Sequence, residues 1–455
     1  MLEIIGSSLL GLLWEILGHT PQPQMVLESS SWSNSAIFEL PSEEFDPAVQ
    51  NLVDEYLNRL KQQGIDPNNQ TVWLQSDWIE LATHRGNIPA SAASLTKIAT
   101  TLAALGKLGS NYQFMTQVYH TGSIEDGVIK GDLVIEGSQD PLFVWEEAIA
   151  LSNTLNQLGI TKITGNLLVD DQFYMNYEYD PLVSGELLKQ GLEPHTWSNE
   201  VKQQFLALPI TTPRPQLTIQ GKVQLIDKLP TDAQPLILHK SLPLSDILRQ
   251  MNIYSNNKMA QMLADITGGA AAVADYAIAA TKVTPSEIQL INGSGLGVEN
   301  RISPRAATKM LIAIQQLLQP DNLQVSDMFP VAGRDGLGTM ENRDLPEGVA
   351  VKTGTLNQVS ALAGVIPLES DKIPNYAVGK TSQLPQRQIW FAVINSGWQI
   401  KEFRQQQDRL LQKLANYWQI KPNVKEQLLP ETSVYLGDPQ RNQIDDRLTE
   451  ILPLE

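Results

Sequence analysis

Apolar residues recur at helical spacing in some stretches of this chain and cluster or alternate at strand spacing in others. "DPAVQNLVDEYLNRLKQQG" carries its apolar side chains three and four apart, with proline at the start and glycine at the stop, and predicts a helix. "TVWLQ" and "WIELATHRG" follow as two β-rich runs and predict a hairpin. In "PASAASLTKIATTLAAL" (89–105), Leu95, Ile98, Ala99, Leu102 and Leu105 share one face, so this helix faces a core.

The texture changes near residue 113. "FMTQVYHTGSIEDGVIKGDLVIEG" alternates strands and turns, "PLFVWEEAIALSNTLNQLG" reads as a helix and "ITGNLLVDDQF" as a strand. Residues 174 to about 235 are poorly patterned. Helical spacing returns in "PLSDILRQMNIYSNNKMAQMLADITGG" and continues through "SPRAATKMLIAIQQLL" to two strand-like segments, "GVAVKTGTL" and "QIWFAVINSG". A last amphipathic helix places Phe403, Leu410, Leu411, Leu414 and Tyr417 on one face. Strands at both ends with helices between them predict one domain split by an insertion. The expected boundaries are 1–44 for an apolar segment and polar lead-in, 45–112 with 236–420 for the split domain, 113–235 for the insert and 421–455 for an extended tail.

Composition narrows the function more than the fold. The chain has 455 residues, 42% of them hydrophobic, enough for one large core or a few smaller ones. A formal net charge of -17 argues against nucleic acid as a partner. With no cysteine, thiolate nucleophiles, disulfides and Cys-ligated zinc are excluded. The five histidines show no metal-ligand spacing, and no G-x-S-x-G elbow is present. The N-terminal "MLEIIGSSLLGLLWEILGHT" is long enough for the apolar part of an export signal and short for a membrane span. It lacks a basic flank, since the first basic side chain is Arg59. Export by this segment is one reading, and an amphipathic helix packed on the domain or lying on a membrane is the other.

The chemistry lies in three short motifs. Ser94 and Lys97 stand three apart, so on a helix they share a face. An amine there accepts the hydroxyl proton only when burial or nearby positive charge keeps it neutral. "YSNN" supplies Ser255 and Asn257 two apart. "VKTGT" supplies Lys352, Thr353, Gly354 and Thr355 on a strand, with a glycine that permits close backbone approach. The N–H groups of Ser94 and Thr355 are candidates for an oxyanion hole. Each motif alone has a plain structural reading. Ser255 reads equally as a helix cap, Lys258 as solvated, Asp140 as a turn residue, "NGSGLG" and "GRDGLG" as tight turns, and the aromatics of 174–197 as local packing.

The order Ser-x-x-Lys, Ser-x-Asn, Lys-Thr-Gly matches the active-site serine penicillin-recognising enzymes. With "GVIKGDLVIEGSQDPLF", "ITGNLLVDDQF", "NGSGLGVENRISP", "PVAGRDGLGTM" and "VKTGTLNQVSALAGVI", the chain resembles the D-alanyl-D-alanine carboxypeptidase/endopeptidases of the penicillin-binding protein 4 type (low-molecular-mass class C penicillin-binding proteins) over roughly 45–173 and 235–400. The resemblance implies an α+β fold: a transpeptidase-like domain of helices on an antiparallel sheet, interrupted by a small α+β insertion. It implies serine acyl transfer on peptidoglycan stem peptides in the periplasm or cell envelope, covalent inhibition by β-lactams, and no metal or organic cofactor. It implies Ser94 as nucleophile, Lys97 as its base, Ser255 as a proton relay and Asn257 on the substrate amide. Lys352, Thr353, Gly354 and Thr355 would then bind the carboxylate end.

The chain departs from the family pattern in three places. "PAS" ends at Ser91, one turn before Ser94. Asn256 stands where aspartate is common, and the insertion is shorter than the family's usual pair of inserted domains. A β-lactamase or esterase on the same fold, and a catalytically silent peptidoglycan-binding protein, remain alternatives at this stage. The spacing to Lys97 favours Ser94 over Ser91, which reads as an N-cap or a lead-in residue.

Overall fold

The computed structural model describes residues 46–76, 79–368, 387–420 and 435–445, all within one compact unit. The N-terminal apolar segment lies outside the described residues. Labels here cover the split domain only. Before the insertion come α1 (Pro47–Gln62), β1 (Gln70–Ser76), β2 (Ile79–His84) and α2 (Thr96–Leu108). After it come α3 (Leu244–Tyr254), α4 (Asn257–Ile266), α5 (Gly269–Thr281), α6 (Pro304–Leu318), β3 (Ala350–Leu356), β4 (Val359–Leu368), β5 (Arg387–Ser396) and α7 (Ile400–Tyr417).

The two ends of the chain meet in one antiparallel sheet of order β3-β4-β5-β1-β2. Its seam is β1 against β5, running from Gln70 opposite Asn395 to Ser76 opposite Ile389. β3 is therefore an edge strand, and it carries the Lys-Thr-Gly motif. On one face of the sheet, α1 and α7 share a core that includes Val49, Val53, Tyr56, Leu60, Leu74, Phe391, Val393 and Phe403. α1 starts where Asp46 accepts hydrogen bonds from the N–H groups of Ala48 and Val49, with Pro47 at its first position. On α7, Phe403, Leu410, Leu411 and Leu414 are buried, each worth roughly 1.5–3 kcal/mol of apolar transfer. Tyr417 is 40% exposed and marks the margin of that face. α6 lies across β1, β4 and β5 on its way to α2. α2 is buried on every side from Thr96 to Leu105, so it runs through the core instead of lying on it.

The insert has its own hydrophobic core, which includes Val118, Ile135, Phe143, Ile149, Val169 and Leu188. Its six-stranded sheet runs in the order 223–225, 167–169, 133–136, 115–120, 234–240, 442–444. This corrects two expected boundaries. Residues 234–240 form one strand that pairs with Met115–His120 of the insert, so 236–240 belong to the insert's sheet, and 442–444 of the expected tail close that sheet against 237–239. The poorly patterned stretch 174–235 contains the helices Pro181–Leu192 and Asn199–Ala207. Their apolar stripes are narrow, because each packs only one side on the insert. The strand β4, between the two strand-like segments noted in sequence, is buried along almost its whole length and so shows no alternation.

Candidate active site

Ser94 sits in a short 3-10 turn, Ala93–Leu95, that leads into α2. Ala93 adopts φ +47°, the left-handed region that side chains with a Cβ usually avoid. The turn is held there from three sides. The Ala92 N–H donates to the Asn300 carbonyl at 2.8 Å, and Ala90–Ser91 pair with Arg301–Ile302. Gly295 comes so close that a Cβ on it would lie 1.8 Å from the Ala93 carbonyl oxygen. From β3, a Cβ on Gly354 would lie 2.9 Å from the Ala92 carbonyl oxygen and 3.1 Å from the Ser94 nitrogen. The third position of Lys-Thr-Gly thus allows the edge strand to lie directly beside the serine backbone.

Lys97 is fully buried, and its amine makes three contacts: Ser94 Oγ at 3.1 Å, Asn257 Oδ1 at 2.7 Å and the Ser294 carbonyl oxygen at 2.7 Å. Burial pulls its pKa down to about 7. The two shorter contacts are to oxygens that only accept, so a neutral amine spends both hydrogens on them. Its lone pair is then left for the Ser94 hydroxyl. That is the geometry of a general base.

α3 ends at Ser255, which takes the left-handed conformation at φ +53° and breaks the helical run in two. Asn256 then caps α4, its side chain accepting from the Met259 N–H. The cap is Asn256, not Ser255. Ser255 is released from capping, and its Oγ accepts from the Lys352 amine at 3.0 Å. Asn257, at the first turn of α4, reaches Lys97. Lys258 points away and stands 3.6 Å from Glu178 of the insert.

Lys352 is also fully buried, and its second hydrogen bond goes to the Thr353 carbonyl at 2.8 Å. Burial, followed by the neighbouring charge of Lys97, holds its pKa well below the usual lysine value. Both amines are buried, Lys97 against Ser94 Oγ and Lys352 against Ser255 Oγ. Thr353 is nearly buried, whereas Thr355 is exposed at the end of the motif. All eight motif residues are thus gathered around one turn. Ser91 is not an N-cap: it lies in the two-residue strand before the turn, and its Oγ is buried without a hydrogen-bond partner.

Two participants were missed in the linear reading. The Ser294 carbonyl belongs to "NGSGLG", where Asn292 Oδ1 accepts from the Ser294 and Gly295 N–H groups at 3.2 and 2.8 Å. That tight turn holds the Lys97 amine. Arg404 on α7 donates to Thr355 Oγ1 at 2.9 Å, across 49 residues of sequence. Of the plain structural readings, Asp140 behaves as a turn residue, accepting from the Leu142 N–H at 2.8 Å. Trp197 is buried locally, but the Tyr179 hydroxyl leaves the insert to donate to the Lys258 carbonyl.

The model of the D-Ala-D-Ala carboxypeptidase 3 (S13) family matches residues 53–181 and 204–417. The chain belongs to that family. It is accordingly a serine hydrolase of the D-Ala-D-Ala carboxypeptidase type. D-alanyl-D-alanine carboxypeptidase DacB of Haemophilus influenzae is 23% identical, over 62% of this chain and 79% of its own length. Carboxypeptidase DacB of Mycolicibacterium smegmatis is 31% identical over 30% of this chain and 34% of its own. Among solved structures, the fold is similar to that of Bd3459, a predatory peptidoglycan endopeptidase of Bdellovibrio bacteriovorus. The TM-score is 0.64 at 20% identity, covering 82% of this chain and 98% of that one. Penicillin-binding protein 4 of Haemophilus influenzae matches with a TM-score of 0.54 at 18% identity, over 79% of this chain and 98% of that one. The S13 family assignment agrees with the α+β fold and the order of the three motifs.

Proposed function

We propose that this S13 family member removes the terminal D-alanine from peptidoglycan stem peptides through an acyl-enzyme on Ser94. The observation that carries the reading is the buried Lys97 amine, hydrogen-bonded to two acceptor oxygens and 3.1 Å from Ser94 Oγ. Ser94 Oγ attacks the carbonyl carbon between the two D-alanines, and its proton passes to Lys97 Nζ. The N–H groups of Ser94 and Thr355 receive the developing oxyanion. Collapse of the tetrahedral intermediate breaks the C–N bond. The departing amine takes up the proton that Lys97 received, relayed through the Ser255 hydroxyl, whose oxygen accepts from Lys352, and Lys97 is neutral again. Asn257 orients the substrate amide. Water then attacks the ester carbonyl and gives a proton to Lys97, which returns it to Ser94 Oγ as the acyl C–O bond breaks and the shortened peptide leaves as a carboxylic acid. A β-lactam enters the same path, and its ring-opened acyl group stays on the serine.

A peptidoglycan substrate supports a location in the cell envelope. Fractionation that finds it only in the cytosol would count against this reading. The direct test mixes the purified chain with a fluorescent penicillin, denatures it, and maps the adduct by mass spectrometry. A label on the peptide containing Ser94, together with release of D-alanine from a D-Ala-D-Ala peptide, is the expected result. Noncovalent retention without an ester would favour a silent binding protein. Rapid loss of the label without D-alanine release would favour a β-lactamase.

A further inference from the structure

An anionic peptide end approaching a chain of net charge -17 needs a local cation to receive it. Lys352 is poorly placed for that task. Its amine is buried, is bonded to Ser255 Oγ and the Thr353 carbonyl, and is pushed toward neutrality by burial. Arg404 has the opposite character. It is exposed on the first turns of α7, and its Nη2 donates to Thr355 Oγ1 at 2.9 Å. A guanidinium has five N–H donors and stays protonated. Nearby Glu402 accepts from Gln63 and Gln406, at 2.6 and 2.7 Å, and so is turned to other partners. Among the described residues, no carboxylate forms an ion pair with Arg404.

Position adds to charge. β3 is the edge strand of the sheet; its start is bridged by Val331, and further along Gly354 brings it against the Ser94 backbone. In a D-Ala-D-Ala peptide the terminal carboxylate carbon is three bonds from the scissile carbonyl carbon, about 4 Å at most from standard bond lengths. A scissile carbonyl seated between the N–H groups of Ser94 and Thr355 therefore keeps its carboxylate beside the end of β3. Thr355 Oγ1 and the Arg404 guanidinium form the polar group at that end.

We propose that Arg404 is a specificity residue of the leaving-group subsite, its guanidinium receiving the free C-terminal carboxylate beside Thr355. This rests on the acyl-enzyme reading above and assigns to it the charge that selects a carboxypeptidase substrate. Thr355 braces the guanidinium, and the remaining N–H donors face the carboxylate. The buried Lys352 is then left to hold Ser255.

The test uses the full chain and two peptides that differ only at the end, one finishing in D-Ala-D-Ala carboxylate and the other in its carboxamide. Arg404→Gln should lower kcat/KM on the carboxylate peptide roughly tenfold, mainly through KM, while the carboxamide peptide changes by less than about twofold. Arg404→Lys should recover part of the loss. Added salt should weaken the wild-type preference for the carboxylate and leave that of Arg404→Gln nearly flat. Equal losses on both peptides, or no loss on either, would overturn the assignment of Arg404. Failure of the wild-type chain to form a penicillin adduct would instead overturn the acyl-enzyme reading on which it rests.

Discussion

Changing one atom at Asn257 tests whether Lys97 is the base. Asn257 Oδ1 is 2.7 Å from the Lys97 amine, so Asn257→Asp places a carboxylate at that distance with almost no change in shape. An opposite charge this close favours the protonated amine and raises a pKa by about one to three units. Lys97 starts at about 7. A rise of about two units would cut its neutral fraction at pH 7 from about one half to about one hundredth. Acylation should therefore fall about fiftyfold at pH 7 and recover as pH approaches about 9, because only the neutral amine takes the serine proton. The assay is the pH profile of the second-order rate of penicillin labelling, which reports the free enzyme. Wild type should show a rising limb centred near 7, and the variant the same limb displaced to alkaline pH. Any contribution of the Asn257 amide to substrate binding would lower the plateau without moving the midpoint. A variant whose loss is the same at every pH would refute lysine as the titrating base.

Other outcomes follow from the same contacts. Ser94→Ala should abolish covalent labelling with the fold intact, while Ser91→Ala should keep it. Because Ser91 Oγ is buried without a partner, its removal should leave the melting temperature unchanged or slightly higher. Lys352→Met keeps the volume but takes the donor from Ser255 Oγ. It should lower kcat/KM on a D-Ala-D-Ala peptide roughly ten- to a hundredfold, with wild-type activity ruling the contact out. Lys97→Met provides a linkage test by thermal melting. Between about pH 7 and 10.5 the unfolded chain holds a proton on Lys97 that the folded chain releases, so wild-type stability rises with pH there. The melting temperature of wild type relative to Lys97→Met should climb across that window, and a constant difference would contradict the depressed pKa.

The motif residues were legible because the three motifs are local in sequence. Ser94 and Lys97 are one turn apart, Ser255 and Asn257 flank one helix break, and Lys352 to Thr355 lie along one strand. The division of the sheet was also legible, since strand-like segments covering β1, β3 and β5 stand at opposite ends of the chain. Several insert elements were hidden for a different reason. A strand of two or three residues, such as Thr218–Ile219 or Val223–Leu225, has too few positions to express a period. Their places are set by pairing with Lys162–Ile163 and Leu167–Val169.

The contacts that turn motifs into a mechanism were hidden because they run through groups without sequence identity, or between faces that only the fold brings together. The Ser294 carbonyl is a backbone oxygen, and any residue at that position supplies one. What the sequence specifies is the Asn292 side chain that shapes the turn and the glycine at 295 that allows it to press on Ala93. "NGSGLG" was read as a tight turn, and it is one. Its function lies in the direction in which the turn aims its carbonyl. Arg404 is hidden more deeply, since an arginine on the polar side of an amphipathic helix is the ordinary choice there. It meets Thr355 because Phe403, the next residue back, is buried in the core beneath the sheet, fixing the rotation of α7 beside the end of β3. Core packing on one side of that helix thereby sets the position of a charge on the other. A substitution at Phe403 should therefore disturb carboxylate selection as well as stability, and it should do so through the placement of Arg404.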